Sequence, residues 1–107
     1  MEWIEGKGYK KRILAGETEL GRGNTVQIVR IGPGQEVKPH YHRQQTELFY
    51  ILGGEALLSI AEKEFKAKPG DSYLCRPTDV HAVKNSGTED FELLVFKTGW
   101  KEGDAYW

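Results

Sequence analysis

Several things are scarce in this chain, and each scarcity narrows the reading. One cysteine, Cys75, among 107 residues leaves no partner for an intrachain disulfide and fits a reducing compartment. No apolar run approaches the roughly 18 residues of a membrane-spanning helix. The N-terminal MEWIEGKGYKKR lacks the apolar centre of a secretory leader. An excess of one charge is missing too: 15 basic and 16 acidic residues give a net charge of −1. That excludes the concentrated basic surface of a nucleic-acid binder. The richest basic cluster, Lys10-Lys11-Arg12, is short and reads as a solvated strand edge. The expectation is a cytoplasmic, soluble protein with neither a nucleic-acid nor a membrane partner.

Helical periodicity is also lacking. No stretch of a dozen residues repeats its apolar side chains at i, i+3 and i+4. Leu, Ile, Val and Phe nonetheless make up 25 of the 107 residues, enough for one modest core, so residues 1–107 read as a single domain. Short segments rich in β-branched and aromatic residues carry that apolar content: TVQIVRI, ELFYIL, EALLSI, KEFKA, DSYLC, VHAVK and FELLVF. Turn-forming stretches separate them at 15–24, 32–35, 53–54, 69–71 and 85–90. Gly34, Gly54 and Gly70 read as turn residues. Many short strands at regular spacing predict an all-β sandwich or barrel.

The chain has three histidines, and two of them, His40 and His42, are one residue apart. Side chains at i and i+2 of a strand share a face, about 6.6–7 Å apart, so two imidazoles can converge on one ion. RQQT (43–46) has the length of a four-residue hairpin loop, which predicts that the chain doubles back and sets Glu47 beside them. Glu47 opens an inward row with Phe49 and Ile51. A carboxylate there is costly without a partner, and a metal ion would supply one. Alone, an HxH pair reads more simply as two surface histidines. The third histidine, His81, strengthens the metal reading, because Val83 continues its face as an apolar alternate.

This pattern resembles the cupin superfamily of small β-barrels. Its first motif, G(X)5HXH(X)3–4E(X)6G, is matched at every fixed position by Gly34, His40, His42, Glu47 and Gly54. The second, G(X)5PXG(X)2H(X)3N, is matched by Gly70, His81 and Asn85. Arg76 and Thr78 stand where that motif has proline and glycine, with Pro77 between them. The resemblance covers 34–85, about half the chain. It implies a double-stranded β-helix, or jelly-roll barrel. It implies His40, His42, Glu47 and His81 as ligands of one divalent transition metal ion: Fe, Mn, Ni, Cu, Co or Zn. It also implies a homodimer paired through a sheet.

Fold does not fix function. One reading is a metal-dependent enzyme acting on a small molecule, by dioxygenase-type or sugar-isomerase-type chemistry. The other is a non-catalytic ligand-binding or sensor module. Arg76, Tyr73 and Gln45 are candidates for contact with the small molecule, and Arg43 and Lys38 are further cations near the motifs. No catalytic residue is assigned. Cys75 reads as core rather than nucleophile, Asn85 as a turn anchor, and the tail tryptophans Trp100 and Trp107 as a cover for the barrel mouth or a partner.

Overall fold

The computed structural model describes residues 2–107. In chain order its elements are β1 (Ile4–Glu5), β2 (Lys10–Ala15), α1 (Glu17–Leu20), β3 (Thr25–Ile31), β4 (Glu36–His40) and β5 (Thr46–Gly53). They continue with β6 (Ala56–Ile60), β7 (Lys63–Ala67), β8 (Ser72–Cys75), β9 (His81–Lys84) and β10 (Phe91–Thr98). Every apolar segment expected to be a strand is one. The stretch at 15–24, expected to be turn alone, also winds one helical turn. Among the described residues no helix is long and apolar enough to cross a membrane.

Two antiparallel sheets face each other in a jelly-roll arrangement. One has the order β1-β2-β3-β10-β5-β8, the other β4-β9-β6-β7. β10 holds the larger sheet together, pairing with β3 from Phe91↔Ile31 and with β5 through Thr98↔Thr46. Period-two alternation decides which side chains enter. Gln27, Val29 and Ile31 turn inward from β3, and Phe91, Leu93 and Val95 from β10. Glu47, Phe49 and Ile51 do so from β5. Leu58 and Ile60 of β6 and Val83 of β9 close the core from the smaller sheet. Each apolar side chain among them contributes about 1.5–3 kcal/mol by leaving water.

The outward face of β5 and β8 is unusually apolar. Leu48, Tyr50, Leu52 and Leu74 are each 41–44% exposed, and Leu48 stands opposite Leu74 in the register.

The predicted hairpin at 43–46 does not form. β4 pairs with β9 in the smaller sheet, whereas β5 lies between β10 and β8 in the larger one. Residues 41–45 therefore cross between sheets. The two histidines and Glu47 meet across the barrel interior, not across one hairpin. Alternation in the sequence reveals which face a side chain takes, but not which sheet its strand joins.

The glycine pair after β5 separates two backbone demands. Gly54 has φ 72°, and a Cβ built there would lie 2.2 Å from the carbonyl oxygen of Asp90, whereas one at Gly53 would meet nothing within 4 Å. Gly54→Ala is expected to lower stability by about 2 kcal/mol or more. Gly53→Ala should be neutral or stabilising by up to about 1 kcal/mol. Chemical denaturation of the two variants checks this, and equal losses would contradict the assignment.

Candidate metal centre

The strands bring three imidazoles and one carboxylate together inside the barrel. His40 ends β4 and His81 begins β9, and the two are register partners. The β4–β9 register shifts between Val37 and His40, and such an irregularity re-aims a strand's side chains. Ring centroids are 4.1 Å apart for His40–His81, 5.2 Å for His42–His81 and 5.4 Å for His40–His42. One nitrogen from each ring lies within 4.8 Å of the others. Glu47 Oε1 is 3.0 Å from His42 Nε2 and 3.2 Å from His81 Nε2.

Each imidazole is oriented from behind. His40 Nδ1 lies 2.8 Å from the carbonyl oxygen of Lys38, and His42 Nδ1 lies 2.6 Å from that of Asp104. His81 Nδ1 lies 3.0 Å from the carbonyl oxygen of Asp79, with Cys75 Sγ at 3.1 Å. A carbonyl oxygen only accepts, so each Nδ1–H donates to it and each Nε2 presents a lone pair to the centre. Metal-binding histidines are held in this way.

Electrostatics support the same arrangement. Burial and the neighbouring His81 push His40 down to about 4, against the opposing pull of the Lys38 carbonyl, so it is neutral near pH 7. Burial alone would raise Glu47. The imidazoles of His42 and His81 set against it, and then the Lys97 ammonium, outweigh burial and hold the carboxyl below the usual carboxylate range. Burial would lower His42, but its contact with ionised Glu47 raises it. A positive charge beside the rings would suit Glu47. Glu47 Oε1 is buried and has no hydrogen-bond partner among the described residues. A neutral imidazole offers it only a lone pair, whereas a cation held by the three histidines would offset the charge of Glu47, which borders that group through His42 and His81. The donor set of three imidazoles and a carboxylate suits a divalent transition metal.

The C-terminal segment closes over this centre. Trp107 stacks on His40 with ring centroids 4.3 Å apart, and the main chains of Tyr41 and Tyr106 exchange hydrogen bonds of 3.0 and 2.9 Å. The Asp104 carboxylate accepts N–H bonds from Arg43, Gln44 and Gln45 at 2.9–3.2 Å. Trp100 and Trp107 both line a cavity of about 250 Å³ at the cluster. The tail thus covers the mouth, one of the two places expected for it.

The candidate contact residues separate. Gln45 is 3% exposed and lines the cavity. Tyr73 and Arg76 do not. Tyr73 packs against Phe65 and its hydroxyl donates to Asp71 at 3.1 Å. Arg76 lies beyond the end of β8 with its side chain exposed, in a turn where its main-chain N–H donates to Asp79. Arg43 and Lys38 are also absent from the cavity wall. The cations that line it are Lys11, Lys97 and Lys101, with Gln27 and Tyr9 nearby. Lys97 was legible: it continues the inward alternation Leu93, Val95, Lys97. Thr78 takes φ 71° where the resembled motif has glycine, and its N–H donates to the His42 carbonyl at 2.6 Å. Cys75 is pushed up to about 12 by burial, then by Glu47 and Asp79, which suits a neutral thiol behind His81. Asn85 anchors its turn, donating to the carbonyls of Ile31 and Glu89.

Comparison with known proteins agrees with the fold. The cupin domain family model matches residues 27–97. The oxalate-binding protein of Thermotoga maritima is 29% identical over 92 residues, 84% of this chain and 76% of that protein. A structure from the same organism, described as a predicted oxalate decarboxylase, superposes with a TM-score of 0.83 at 23% identity, covering 92% of this chain and 91% of that one. A sugar phosphate isomerase of the cupin superfamily from Silicibacter pomeroyi gives 0.73 at 26% identity, over 85% of this chain and 59% of that one.

Asp104 offers a test of the tail's role. Burial would raise its carboxyl, but the three N–H donors hold it below its ordinary value. A depressed carboxyl contributes stability above the unfolded value near pH 4, and loses it as pH falls through the folded value. Asp104→Ala is expected to melt lower than wild type at pH 7, with the difference closing below about pH 4. Melting curves between pH 7 and 3 check this, and a constant difference would count against it.

Proposed function

The chain belongs to the cupin domain family, and from that premise we propose that it is a metal-dependent enzyme acting on a small molecule in the covered cavity. His40, His42, His81 and Glu47 hold one divalent transition metal ion. The observation that carries this is the buried Glu47 Oε1, which lacks a donor while facing two Nε2 atoms at 3.0 and 3.2 Å. Four protein ligands leave positions free for a chelating molecule on an ion that prefers six. Such an ion supplies Lewis acidity, and electron transfer if it is redox-active.

The chain's own residues shape the rest. Val29, Val37, Phe49, Val83, Leu93 and Val95 make most of the wall apolar, and the tail limits access of water. Lys11, Lys97 and Lys101 also line it and can meet an anionic group. A compact anionic molecule suits such a cavity, and dioxygenase-type chemistry is one reaction that this kind of centre supports. Tyr9, kept protonated by burial and by the charge of Glu47, can donate a hydrogen bond into the cavity. A second reading, a non-catalytic module for a small chelating anion, is supported by the name of the oxalate-binding relative.

Metal content by mass spectrometry tests the assignment. Wild type is expected to carry about one equivalent, and His42→Ala to lose it while keeping its far-ultraviolet circular dichroism. One equivalent retained by the variant at unchanged affinity would overturn the ligand set. Oxygen uptake with small chelating substrates then separates the enzyme from the binding module.

The apolar row Leu48, Tyr50, Leu52 and Leu74 supports a homodimer built on the outer face of the larger sheet, since contiguous exposed apolar surface favours association. Light scattering should give twice the mass of one chain for wild type and a single chain mass for Leu48→Glu. A monomeric wild type would refute the pairing.

A further inference from the structure

The proposed metal centre accounts for the histidine side of the cavity. It leaves the wall formed by the larger sheet unexplained. Lys11 of β2, Gln27 of β3 and Lys97 of β10 all line the cavity. Strand pairing puts them together: Lys11 stands opposite Val29, Gln27 opposite Val95, and Lys97 opposite both Thr25 and Glu47. The histidine cluster with Glu47, and the tail's Lys101, Glu102 and Asp104, line other parts of the cavity, and two ammonium groups on this mostly apolar wall are costly unless something offsets their charge. Glu47 is the nearest anion by register, yet neither lysine forms an ion pair among the described residues. Glu47 is already committed to His42 and His81.

Two amides join them. Gln27 is 5% exposed and Gln45 3% exposed, although both line the cavity. Gln45 Nε2 is buried without a hydrogen-bond partner. Burial lowers Lys97 from its ordinary value, Glu47 raises it and Lys11 lowers it again, as expected of a cation crowded against another cation inside the barrel.

We propose that Lys97, with Lys11 and the amides of Gln27 and Gln45, forms an anion subsite that makes the cavity select a small molecule bearing a carboxylate. This rests on the proposed function only in placing the molecule's other end at the metal centre. The donors are ammonium and amide groups, which together can meet the two oxygens of one carboxylate in a cavity of about 250 Å³. Lys97 is the specificity-determining residue, because its strand position puts it between the Glu47 register and the Gln27 row. A neutral chelator of the same size leaves both ammonium groups uncompensated and gains nothing from them.

The test is a calorimetric titration of malonate and of its neutral diamide, malonamide, into wild type, Lys97→Met and Lys97→Arg. Both metal-loaded and metal-free protein are titrated, and metal content is measured on every sample. Lys97→Met is expected to weaken malonate by about ten-fold or more, to leave malonamide unchanged, and to keep its metal. Lys97→Arg should restore much of the malonate affinity. Equal malonate affinity in wild type and Lys97→Met, or no malonate binding to wild type in either form, overturns the subsite. A wild type that takes up no metal overturns the metal centre alone. The metal-free titrations then still decide the subsite by the same comparison.

Discussion

One carboxylate sets the terms for the centre of this protein. Glu47 lies at the end of an inward row shared with Phe49 and Ile51, largely removed from bulk water. Its Oε1 faces imidazole nitrogens whose protons are already given to carbonyl oxygens on the far side of each ring. An anion buried against lone pairs is stable only if a positive charge stands between them. The three oriented histidines and the tail over the mouth all serve that local arrangement, and they leave a set of nitrogen and oxygen donors pointing at one volume.

The tail belongs to the site as much as the strands do. The carbonyl of Asp104 holds His42, while its carboxylate gathers the N–H groups of the crossing segment 43–45. One residue therefore fixes a candidate ligand and the path that carries the chain to Glu47. Trp107 adds a stacked face on His40. The cavity is bounded by the strands below and the tail above, so a molecule must be small or the tail must move.

Most of the candidate site was readable in the chain, for a definable reason. His40 and His42 at i and i+2, and Glu47 and His81 each leading an apolar alternate, carry their facing in the two-residue period of a strand. The same period could have revealed Lys97, which continues the inward row of Leu93 and Val95. Arg76 attracted attention through its nearness in sequence to His81, but it lies past the end of β8, where strand alternation no longer directs side chains inward. Tyr73 does turn towards the core, yet at a level where Phe65 rather than the cavity meets it. Asp104, far along the chain, left no sequence signal, since its partners are main-chain groups that any residue could have supplied.

Local sequence by itself determined the strands, the turns, the inward and outward faces and the set of candidate ligands. Each depends on backbone preference and alternation, which operate over a few residues. Tertiary structure alone decided that residues 41–45 cross between sheets rather than closing a hairpin. It also decided that the tail returns to brace His42, and that lysines from β2 and β10 share one wall. Those outcomes depend on pairings between strands tens of residues apart, where the hydrogen-bonding groups are the same in every residue and only the packing of the whole barrel selects among them.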